Sequence, residues 1–93
     1  MRVRRRPILD EYVQDGVAAV LVGDHVMVLS ALATELVRRI EPAGTDVEIL
    51  AKGLVETFGL PPDDPDGVAS TRAAVKDLAD RGIVEIDEVT IGD

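Results

Sequence analysis

Cysteine and tryptophan are absent from the chain, and Tyr12 and Phe58 are its whole aromatic content. Without cysteine there is neither a disulfide nor a thiolate metal ligand. His25 is the one histidine, which leaves a structural zinc site short of its four nitrogen and sulfur ligands. Two aromatics are too few for a platform on which the bases of a single strand stack. No apolar run approaches the ~20 residues that span a bilayer. The basic N-terminus has no apolar h-region behind it, so no secretory signal is read there. The expectation is a cytoplasmic protein with no membrane partner.

Basic residues are scarce outside one short run. Arg2, Arg4, Arg5 and Arg6 are four of the ten, and from Pro7 onward six basic residues face eighteen acidic ones, within a net charge of −8. Phosphate backbones bind mainly through Lys and Arg that displace counterions. An acidic body of this kind argues against a nucleic-acid partner. Residues 1–7 are expected to form a flexible basic arm, and residues 8–93 a single domain large enough to bury a modest core without staples.

Catalytic groups are equally sparse. Ser30 and Thr45 are better explained as helix caps than as nucleophiles. His25 follows the Gly23-Asp24 turn and reads as a strand residue rather than a general base. The glycines lack a phosphate-cradling spacing, and Asp63-Asp64-Pro65-Asp66 departs from a calcium loop at Pro65 and in lacking the closing glutamate. No catalytic residue, cofactor or metal site is expected, and the chain reads as a binding module rather than an enzyme.

What the chain does have is clear punctuation. Pro7–Gln14 carries a weak strand signal, Asp15-Gly16 is a hairpin turn, Val17–Val22 is an unbroken apolar strand, and Gly23-Asp24 is a second tight turn. His25–Leu29 is then the third strand of an antiparallel meander. Ser30 is an N-cap, and Leu32, Ala33, Leu36, Val37 and Ile40 recur at helical spacing behind it. Thr45-Asp46-Val47-Glu48 matches a capping box. The helix it opens buries Val47, Leu50, Leu54, Val55 and Phe58 and stops at Gly59. Gly53 inside that helix costs about 1 kcal/mol unless it permits a close helix contact. Asp64 and Pro65 fit the N-cap and first position of a third helix, with Val68, Thr71, Val75, Leu78 and Ala79 inward. Ile83–Ile86 is a short strand, and Val89–Ile91 reads either as its returning partner or as a frayed end. The expected fold is α+β and winged-helix-like: a three-stranded antiparallel N-terminal meander, three helices and a short C-terminal strand or wing. In that order His25–Leu29 leaves one edge unpaired, a slot for an extended peptide.

Three stretches resemble the PqqD-like proteins, the RiPP recognition elements. Val26-Met27-Val28-Leu29-Ser30-Ala31-Leu32-Ala33-Thr34-Glu35-Leu36-Val37 is similar to their strand–cap–helix signature. Thr45-Asp46-Val47-Glu48-Ile49-Leu50 followed by Phe58-Gly59 resembles their second helix. Val75-Lys76-Asp77-Leu78-Ala79-Asp80-Arg81-Gly82-Ile83-Val84 resembles their third helix and its Leu-x-x-Arg-Gly-Leu/Ile-Val ending. Together the stretches place the likeness over about residues 8–86. The family binds the leader segment of a ribosomally made precursor peptide and presents its core to a modifying enzyme such as a radical SAM protein, a cyclase or a peptidase. The leader adds as a strand beside the third strand, in a groove against the third helix.

By position the resemblance implies that His25, Val26, Met27, Val28 and Leu29 are the pairing edge. Arg72, Val75, Lys76 and Ala79 would then be the groove wall, with Arg72 and Lys76 suited to acidic leader side chains. Members often carry aromatics where this chain has Met27, Val37 and Ala74, so its groove would admit bulkier leader residues or bind more weakly. Two other readings compete. One is a winged-helix DNA-binding regulator whose Arg2–Arg6 arm enters a groove, opposed by the acidic body and an acidic third helix. The other is an accessory homodimer subunit pairing through its own sheet edge.

Overall fold

A computed structural model of the chain describes residues 1–87. Along it run β1 (Arg2–Arg5), β2 (Asp10–Gln14), β3 (Val17–Val22), β4 (His25–Val28), α1 (Ala31–Arg38), β5 (Thr45–Asp46), α2 (Val47–Phe58), α3 (Val68–Asp80) and β6 (Val84–Asp87). The strands form two antiparallel sheets of three, ordered β2-β3-β4 and β5-β1-β6. The architecture is thus a small α+β fold. The expected meander is the first sheet. Among the described residues no helix is long and apolar enough to cross a membrane.

The second sheet corrects the expectation of a flexible arm. Residues 2–5 are its central strand, and Val3 is fully buried. The arginines are held by complementary partners. In the β1–β6 register Arg2 lies opposite Asp87 and Arg4 opposite Glu85, the opposite-charge cross-strand pairing that stabilises a ladder. Arg4 Nη2 reaches Asp87 Oδ2 at 2.9 Å, and Arg2 Nη2 donates to the Ala43 carbonyl at 2.8 Å. The short C-terminal strand therefore pairs with the N-terminus. The returning partner expected at Val89–Ile91 lies outside the described residues.

Local capping follows the sequence in one helix and departs in two. At α1, Ser30 Oγ accepts from the Ala33 amide at 3.1 Å, as its position implies. At α2, Thr45 does not cap. Its backbone pairs with Val3 in β5, and its hydroxyl accepts from the Glu41 amide at 2.9 Å. Asp46 stands at the N-cap without a side-chain bond, and α2 ends at Gly59 with φ +86°. At α3 the helix begins at Val68, not beside Pro65. Gly67 takes φ +77° at the N-cap, Asp66 Oδ1 accepts from the Val68 amide at 3.0 Å, and Asp64 Oδ2 accepts from the Ser70 amide at 2.8 Å. The two aspartates share the capping that one was expected to do.

The core lies between the helices and the inner faces of both sheets. Leu29, Leu36, Leu50, Leu78, Ile83, Val3, Val20 and Val75 are among its largest buried members. Gly53 does allow a close contact. A Cβ there would lie 2.6 Å from Arg39 Nη1, and that guanidinium bridges Glu35 and Thr57 across α1 and α2.

Candidate peptide-binding edge

Among the described residues β4 is an outer strand, paired only with β3. Its phase is set at its C-terminal end, where the Leu29 amide donates to the Ala18 carbonyl at 2.8 Å. Main-chain groups of successive strand residues point to opposite sides. Met27 and His25 therefore turn their amides to β3, while Val28 and Val26 turn theirs to the open side. The two valines that present free backbone also expose their side chains, at 67% and 70%.

The remaining edge residues divide by face. Met27 is half-buried and packs against the core, and Leu29 is buried at 2% exposure just past the strand end. His25 is exposed beside the turn, its Nε2 3.3 Å from Asp24 Oδ1. The two edges of this sheet differ in chemistry. β2 starts with Asp10 and Glu11, charges that discourage strand addition. β4 carries no lysine, proline, acidic residue or bulge.

The register also places apolar rows on the outer face. Tyr12, Ala19 and Val28 lie side by side, as do Asp10, Leu21 and Val26. A shallow depression of about 210 Å³ lies among Tyr12, Ala19, Leu21 and Val26. Tyr12 and Leu21 were not singled out from sequence, although a signal existed. Val17–Val22 is apolar at every position, the pattern of a strand covered on both faces. Within the described residues, helices and core cover only one.

The third helix does not supply the expected wall. Val75 is fully buried in the core, and Ala79 is half-buried against it. Arg72 and Lys76 are exposed, but Arg72 borders an open cleft of about 680 Å³ between α2 and α3. Glu48, Glu56 and Asp66 line that cleft beside Lys52, and no residue of β4 does. The structure thus joins the strand residues of the candidate site on one edge and places Arg72 against α2.

No family model, curated protein or solved structure matches the chain.

The segment that carries the edge is acidic. From Pro7 to Val37 there is no lysine or arginine, against Asp10, Glu11, Asp15, Asp24 and Glu35. Glu11 lies 3.6 Å from Arg5, and Glu35 binds Arg39 at 2.8 Å. Asp24 stands at the turn that leads into β4 with its side chain 93% exposed. Of the arginines expected to form a DNA-seeking arm, Arg2, Arg4 and Arg5 are engaged in β1 instead.

Proposed function

We propose that the chain is a non-catalytic binding module that captures an extended peptide by strand addition to β4. In keeping with the resemblance to PqqD-like proteins, the peptide is the leader segment of a ribosomally made precursor, delivered to a modifying enzyme such as a radical SAM protein, cyclase or peptidase. The observation that carries this reading is the edge of β4, open among the described residues. It offers the amides and carbonyls of Val26 and Val28 with no charge, proline or bulge to deter a partner strand. Main-chain bonds supply affinity there, and the exposed valines favour apolar side chains at alternate positions of the guest.

The test is fluorescence anisotropy with leader peptides encoded beside the gene, against wild type and Val26→Pro. Proline at position 26 removes an outward amide and leaves the β3 ladder intact. The reading requires loss of binding with an unchanged helical circular dichroism spectrum. Equal affinity for both proteins would reject it.

One further reading has an observation in its favour. The same uncovered edge suits pairing with a second copy across a two-fold axis. Sedimentation at several concentrations separates the two, since a dimer joined through β4 is broken by Val26→Pro and requires no peptide.

A further inference from the structure

We infer that the guest strand is apolar at alternate positions and carries a lysine or arginine where it passes the β3–β4 turn. This rests on the strand-addition reading and names the chemistry of its ligand.

The apolar requirement comes from register. An added strand continues the two rows of the outer face, so its alternate side chains land beside Val28 and Val26. Neighbours on one face of a sheet interact directly, and both valines are largely exposed. An apolar guest residue at these positions covers them, and it extends the surface begun by Tyr12, Ala19 and Leu21.

The basic requirement comes from Asp24. It lies two residues before Val26, at the end of the strand that the guest must pass. Among the described residues its close side-chain partner is the His25 imidazole, and none of Asp10, Asp15 and Asp24 is paired with lysine or arginine. The whole segment from Pro7 to Val37 lacks lysine and arginine. An acidic guest meets only repulsion there, whereas a cation gains one exposed pair and the field of the lobe. Arg72, to which the expectation of an acidic guest is tied, lies instead in a cleft lined by three carboxylates and no residue of β4.

Three fluorescein-labelled decapeptides test this. All carry the same alternating valine and threonine centre, and both ends are lysine, glutamine or glutamate, so that either strand direction brings an end past Asp24. The expected order of affinity is lysine, then glutamine, then glutamate, with about two- to five-fold between neighbours, as for exposed ion pairs. Asp24→Lys is expected to reverse the order, and Val26→Pro to abolish binding of all three. Equal affinities, still lost in Val26→Pro, would overturn the charge requirement and leave the open edge standing. Absence of binding, or binding indifferent to Val26→Pro, would overturn strand addition and this inference with it.

Discussion

The hydroxyl of Thr34 accepts a hydrogen bond from the backbone amide of Ala18 at 3.0 Å, and it donates to the Ser30 carbonyl at 2.8 Å. Thr34 is 2% exposed and Ala18 1%. One buried side chain thus ties the first turn of α1 to the start of β3, on which β4 is laid. It satisfies an amide that the β3–β4 ladder leaves over where the chain turns into the helix.

Thr34→Val keeps the shape and removes that acceptor. A buried amide without a partner costs about 1–3 kcal/mol. The variant is expected to lose that much in urea-induced unfolding. Thr34→Ser, which retains the hydroxyl, is expected to lose less.

Prolines at neighbouring positions of β4 should behave in opposite ways. Val26→Pro removes an outward amide and is expected to change stability by under about 1 kcal/mol. Met27→Pro removes a bond to β3 and is expected to cost about 3 kcal/mol or more. Similar melting temperatures for the two variants would show that the phase of the edge is wrong.

Gly67 combines a positive φ with a crowded site. A Cβ there would lie 2.8 Å from Val55 Cγ2, in a backbone conformation that L residues rarely adopt. Gly67→Ala is expected to destabilise by about 2 kcal/mol, from strain of 1–2 kcal/mol plus displacement of the valine. Gly16→Ala has the same sign of φ but open space around it, and should cost less.

Asp64 gives the stability a pH dependence. The Ser70 backbone amide, first among several donors, holds its carboxyl below the ordinary carboxylate value. A depressed folded-state pKa contributes stability that is complete above the unfolded value of ~3.9 and is lost as pH falls through the folded value. Asp64→Asn is therefore expected to be less stable than wild type near neutrality, with the gap closing in strong acid. Urea midpoints measured from pH 7 down to pH 2 check this.

Much of this fold is legible wherever one local signal decides the matter. The turns at Asp15-Gly16 and Gly23-Asp24, the Ser30 cap and the Gly59 stop all sit where their residue types place them. The departures share a different cause. β1 reads as a solvated arm because three of its four residues are arginine, and the partners that make it a strand, β5 and the Glu85 and Asp87 of β6, are far away in sequence. Thr45 carries a capping signal that the pairing with Val3 overrides. Pro65 suggests a helix start that the left-handed Gly67 postpones.

At the candidate site the strand was legible and the helical wall was not. Among the described residues β4 pairs with β3 alone because a tight turn joins the two, an arrangement local in sequence. Val75 belongs to the apolar stripe of α3, and that stripe faces the core, so it does not also line an external groove.

The central claim rests on two amides, and residue-resolved hydrogen exchange reads them directly. In the free protein Val26 and Val28 should exchange faster than Met27. Saturation with the lysine-ended peptide should slow both and leave Met27 nearly unchanged. Slow exchange at Val26 and Val28 in the free monomer, or rates that the bound peptide does not alter, would contradict the account.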